Sequence, residues 1–156
     1  MTERKKAPWT IPLRDGPVSK NADRVTAGIV AVTAFTLTGF LLSVQPDGRG
    51  HGTHEAFGME RCGWPEVYGY PCPTCGCTTA ACQLVHGDVL GAFVTQPFGA
   101  MIALLGLLAG VHASLCLLRG RSFVDMLVRV PFWRIVVVMI LLLFAAWGYK
   151  ALVWQG

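Results

Sequence analysis

Charge is scarce in this chain. Acidic and basic residues fill 14% of its 156 positions, against about 25% in a soluble domain. No glycine-rich nucleotide loop appears, and no hydrolase triad or pair of catalytic carboxylates. The common phosphate-handling and hydrolytic chemistries therefore have no recognisable residues to use. A net charge of +4 is too small to argue for nucleic acid as a partner. What replaces charge is apolar surface: hydrophobic residues make up 53%, and the mean hydropathy is positive. That balance points to lipid.

Three apolar runs are long enough to cross a hydrocarbon core about 30 Å thick, which takes about 20 residues. They are Val25 to Val44, Phe98 to Leu118 and Ile135 to Trp154. The expected fold class is all-α: a polytopic membrane protein with three transmembrane helices. Before the first run lies a polar tail, Met1 to Arg24, broken by Pro8, Pro12 and Pro17. A secretory signal is the rival reading of this end. The tail is too long for one, the apolar run exceeds the usual 7–15-residue signal core, and no small-x-small cleavage site follows.

Lys and Arg set the direction. The tail has six, residues 45–97 have Arg49 and Arg61, and the connection 119–134 has Arg119, Arg121, Arg129 and Arg134. Beyond the third run only Lys150 stands, near the membrane edge. Positive charge stays inside. The N-terminus and the basic connection are therefore expected in the cytoplasm, with the 45–97 loop and the C-terminus outside. Trp133, Trp147, Tyr149 and Trp154 suit interfacial belts at the ends of the third run. In the connection, Phe123, Met126, Leu127 and Val130 recur at helical steps, as in a surface-lying amphipathic turn.

Five of the six cysteines fall between Cys62 and Cys82. Cys116, alone in an apolar run, reads as packing. The centre of the cluster is Cys72-Pro73-Thr74-Cys75-Gly76-Cys77. A short helix is expected over Thr78 to Phe93. Three chemistries fit. The Cys72 and Cys75 pair at a helix start can work as a redox dithiol, its thiolate stabilised by the helix N-terminus. Cys72, Cys75, Cys82 and His86 form two short-spaced pairs of the kind that bind zinc, with Cys62 and Cys77 as further donors. A disulfide from Cys62 to Cys72 or Cys75 would pin an outward loop, where such bonds persist; connectivity cannot be read from spacing.

Other polar residues carry smaller expectations. His51 and His54, among glycines, read as solvated. His112 lies within the second run, where polar groups face the protein interior. Asp88 reads as a helix-end contact. Gly106 and Gly110 form a small-xxx-small step suited to close packing, within the chain or against another membrane protein or a second copy.

The stretch from Cys62 to Phe98 resembles a bacterial membrane family, the domain of unknown function 2752. The residues that carry the likeness are Cys62, Cys72-Pro73-Thr74-Cys75-Gly76, Thr78, Ala80, His86-Gly87-Asp88 and Gln96-Pro97. They span about a quarter of the chain. Thr79 stands where the family has Arg, and Gln96 where it has Asn. The resemblance implies a bacterial inner-membrane location. It singles out Cys62, Cys72 and Cys75, with His86 as the candidate fourth ligand and Cys82 as the alternative, zinc being the fitting ion. It brings no activity with it. The resulting expectation is a small accessory or interaction protein with a cysteine-ordered outer loop. The alternatives are a thiol–disulfide oxidoreductase using Cys72 and Cys75, and a small transporter or channel subunit. The shortage of charge within the runs opposes the last.

Overall fold

The computed structural model describes residues 19–124 and 132–154. Of the connection's amphipathic residues, Met126, Leu127 and Val130 lie outside the described residues, as does most of the polar tail. The described residues form helices and turns only. In chain order these are α1 (Lys20–Leu42), a 3-10 turn (Thr53–Phe57), α2 (Gly63–Tyr68), α3 (Cys77–Val85), α4 (Val89–Thr95), α5 (Pro97–Arg119) and α6 (Phe132–Leu152). Three helices, α1, α5 and most of α6, are long and apolar enough to cross a membrane. The chain fits a small multi-pass membrane protein.

α1 and α5 pack along small residues. Ala27 and Ala31 are buried against Ala113 and Cys116. A Cβ at Gly110 would overlap Ala34, so the two backbones approach as closely as glycine permits. Bulky residues such as Ile29, Phe35, Leu105 and Leu108 point outward, as a lipid-facing surface requires. Gly106 meets nothing within 4 Å. The small-xxx-small step therefore splits: Gly110 serves the α1–α5 seam and Gly106 lies open. Cys116 is buried in this seam, its Sγ 3.4 Å from Nε2 of the half-buried His112.

Asp23, placed by sequence in the tail, lies in the first turn of α1 and is 7% exposed. Its carboxylate accepts from Ser122 Oγ at 2.9 Å, Phe123 N at 3.3 Å and Val124 N at 2.8 Å. This ties the end of the bundle opposite the cysteine loop.

The single short helix expected over 78–93 divides in two. Gly87 takes φ +89°, a left-handed conformation that closes α3. Asp88 then starts α4, accepting from Gly91 N at 2.8 Å, a standard N-cap arrangement. α3 and α4 fold back on the start of α5, burying Ala80, Leu84, Ala92 and Ala100 as a second small core. Another glycine fixes the approach: a Cβ at Gly99 would stand 2.6 Å from Cys77 Cα.

Candidate functional site

The Cys72–Cys77 segment is a tight turn leading into α3. Cys75 N donates to Cys72 O and Cys77 N to Thr74 O, each at 3.0 Å. Gly76 turns with φ +88°, and a Cβ there would come within 2.7 Å of Gly50 O. Both flanking prolines offer carbonyls that are held from elsewhere. Pro71 is fully buried and accepts from Trp147 Nε1 at 2.8 Å. Pro73 accepts from Gln96 Nε2 at 3.1 Å. Gln96, fully buried, spends its other end on α5: Oε1 accepts from Phe98 N at 3.1 Å. One side chain thus caps a spanning helix and fixes the cysteine turn.

Cys72, on this turn, interacts electrostatically with both Cys62 and Cys75, and its Sγ lies 3.5 Å from Thr74 Oγ1. All six cysteines are free thiols here. Burial pushes the Cys75 thiol up to about 11; Cys72 and Cys62 push the same way, and Lys150 opposes them. Burial also raises Cys77 to about 11, with Cys72 adding and Lys150 opposing. Cys62 is raised by burial and by Cys72. None of these three is the depressed-pKa thiol expected of an attacking nucleophile at neutral pH.

Cys82 and His86 belong elsewhere. The Cys82 thiol faces the C-terminal end of α1 and the residues after it, 3.4 Å from both Leu41 O and Val44 O. Burial raises its pKa. His86 lies past the far end of α3, roughly 13 Å along the axis from Cys77 by helical rise. It is exposed, with Nδ1 2.8 Å from the Cys82 carbonyl. Among the described residues no group of three or more His, Cys, Asp or Glu is placed to hold a metal ion. Cys62 and Cys75 each interact with Cys72, whereas Cys82 faces the end of α1 and His86 is exposed.

A cavity of about 380 Å³ opens beside the thiols, with Cys62 and Cys75, but not Cys72, in its wall. His51, His54, Arg61 and Trp154 also line it. The two histidines, expected to be solvated, are half-buried. The His51 ring lies 4.7 Å from the Trp154 ring, tilted by 46°, and its Nδ1 lies 3.0 Å from Arg49 O. Arg49 pairs with Asp47 at 2.6 Å and with Glu55 at 3.3 Å. The guanidinium holds the Asp47 carboxyl down near 2. Arg61 has a looser contact, 3.7 Å to Glu55.

Lys150 was missed as a site residue by its position at the membrane edge. It is 7% exposed, and its Nζ donates to Gly50 O at 3.1 Å and Thr95 O at 3.2 Å. A lone charge in the last turn of an apolar helix was the signal that could have found it. Thr79 is fully buried and bonded to Thr53 Oγ1 at 2.9 Å.

Residues 62–110 match the model of a family described as a protein of unknown function (DUF2752). The match covers Cys62, Cys72, Cys75, Thr79, Gln96 and the first half of α5. No curated protein and no solved structure matches the chain.

Proposed function

We propose that this protein is a membrane accessory or interaction protein whose loop is ordered by one disulfide made by Cys72. The observation that carries this reading is that Cys72 lies close enough to Cys62 and to Cys75 for each pair to interact electrostatically. Bond formation passes two electrons and two protons to an external disulfide, which leaves as two thiols. The Lys and Arg distribution supports an outward loop, where such a bond persists. The raised thiols support it as well. A disulfide that includes a thiol raised as Cys62 and Cys75 are releases a poorly stabilised thiolate and resists reduction, which is a structural rather than a catalytic property. A bond from Cys72 to Cys62 would also secure a weakly packed region, because Cys62 caps α2 and α2 makes few contacts with the other helices.

Peptide mapping without reductant tests the reading. Purified protein should contain one intramolecular disulfide per chain, and Cys72 should be in it. A map with all three thiols free sinks the proposal. So does about one zinc per chain that disappears in Cys75→Ser, which would move the site to metal chemistry. A thiol-exchange activity abolished by Cys72→Ser would favour the oxidoreductase alternative.

A further inference from the structure

The short helix α2 has two faces. Cys62, Pro65, Glu66 and Gly69 recur at three- and four-residue steps and stand in the wall of the 380 Å³ cavity. Trp64, Val67 and Tyr68 recur at the same steps on the opposite side. All three are exposed, Val67 by 73%. That side carries no charge, since Glu66 turns to the cavity together with Arg61. α2 makes few contacts with the other helices, so the described chain does not cover the aromatic face. Large apolar side chains gathered in this way mark a surface that something else covers.

The patch does not end with α2. From Trp64 and Tyr68, ring centroids step to the exposed Tyr70 at 6.5 and 5.9 Å. The next ring is Trp147 at 6.4 Å, and Phe144 follows at a further 6.4 Å. Phe144 is exposed on α6, a helix long and apolar enough to span a membrane. The aromatic face is therefore continuous with a lipid-facing surface. Its depth agrees. Trp147 precedes Leu152, the end of the span, by about 7.5 Å of helical rise, and each headgroup layer is about 5–7 Å thick. A water-soluble partner seated on Tyr70 would have to displace headgroups to reach that level.

We infer that α2 lies in the headgroup layer of the membrane, with Trp64, Val67, Tyr68 and Tyr70 against phospholipid and its other face walling the cavity. Trp and Tyr suit this depth, because each joins an apolar ring to a polar end. An uncharged aromatic face opposite a polar one is the pattern of a helix lying in the interface plane. The placement requires no bond at Cys72, so it stands or falls apart from the disulfide proposed above.

The test uses full-length protein in phosphatidylcholine vesicles. A fraction of the lipid carries a photoactivated diazirine near the carbonyl end of one acyl chain. A water-borne diazirine gives the second arm, and tagged residues are located by peptide mapping. Residues 64–70 should take lipid tags, as α5 and α6 do, and few tags from water. Val67→Glu sets a charge against lipid and should lose most of the α2 lipid tags while those on α6 stay unchanged. Val67→Leu should keep them, as should Glu66→Gln on the cavity side. Tagging of residues 64–70 from water alone overturns the inference. Protection from both reagents, as a second copy or another protein seated on the face would give, also overturns it. So does Val67→Glu tagged from lipid like the wild type.

Discussion

Gln96→Leu tests whether one amide holds the cysteine turn and the start of α5 together. Leucine matches the buried volume closely and removes both hydrogen bonds. Losing the cap on Phe98 N costs about 1 kcal/mol. The Pro73 carbonyl is half-buried, so water replaces part of its lost partner, and that loss costs about 1 kcal/mol more. Together they make roughly 2 kcal/mol, a factor of about 30 in the population of the opened turn at 1.4 kcal/mol per decade. Gln96→Asn separates the two bonds. Asparagine caps helices at least as well but is one methylene short of Pro73. It should cost about 1 kcal/mol, or roughly fivefold. The assay is the rate at which a maleimide labels Cys75 in detergent, measured peptide by peptide on reduced protein. Labelling of the buried thiol requires opening, so its rate follows the open population. Both variants labelling Cys75 at the wild-type rate would refute the coupling. Equal acceleration in both would locate the whole effect in the Pro73 bond.

The other expectations follow from single contacts. Gly110→Leu drives a side chain into Ala34 and should lower the thermal midpoint in detergent, by overpacking worth about 1–3 kcal/mol. Gly106→Leu, in open space, should leave that midpoint unchanged; a simultaneous drop in oligomeric mass would place an intermolecular contact at Gly106. Lys150→Met removes the donor to Gly50 O and Thr95 O and should lower the midpoint, each orphaned carbonyl costing about 1 kcal/mol; an unchanged midpoint would show that the ammonium does not hold the loop. Alkaline pH gives the fourth test. Cys75 and Cys77 sit near 11 in the folded chain against an ordinary 9.0. The folded state keeps its thiol protons longer than the unfolded state does. The stability this contributes is fully present below pH 9 and falls as pH rises toward 11. A midpoint that rises between pH 9 and 11 would contradict the raised values.

The three spans were legible because their signal is long: about 20 uninterrupted apolar residues leave few alternatives. Their ends were less legible, since helices run past the apolar stretch wherever a cap permits. α1 starts at Lys20 and takes in Asp23, because that carboxylate has backbone donors from residues near 123 to satisfy, a partner about a hundred positions away. In the site, Cys62, Cys72 and Cys75 were singled out by the family resemblance, whereas helical spacing pointed to Cys82 and His86 as partners of Cys72 and Cys75. Cys82 and His86 misled for a local reason. They do share a helix face, as their four-residue step requires, but that face looks at the end of α1 and not at the turn. Gly87 could have been read as a stop before Asp88, which would have split the expected 78–93 helix. Lys150, Trp147 and Gln96 were hidden because each is significant only through a carbonyl distant in sequence, and periodicity carries no information about such partners.

Those long-range carbonyl contacts explain how the third span is placed. α1 and α5 share a long seam of small residues, whereas α5 and α6 touch sparsely. Within lipid, apolar contact alone gives α6 little reason to prefer protein over acyl chains. Its fixed points are polar and lie at its C-terminal end: Trp147 Nε1 on Pro71 O, Tyr149 Oη on Val94 O at 2.8 Å, and Lys150 Nζ on Gly50 O and Thr95 O. Four backbone carbonyls of the cysteine loop and α4 are thus satisfied by one helix turn. Each would cost free energy if left buried and unpaired, so the loop is completed by α6 as much as α6 is positioned by the loop. Pro71 and Gly50 bracket the thiol turn in space. The thiol turn and the C-terminal end of α6 are therefore held by the same carbonyl contacts.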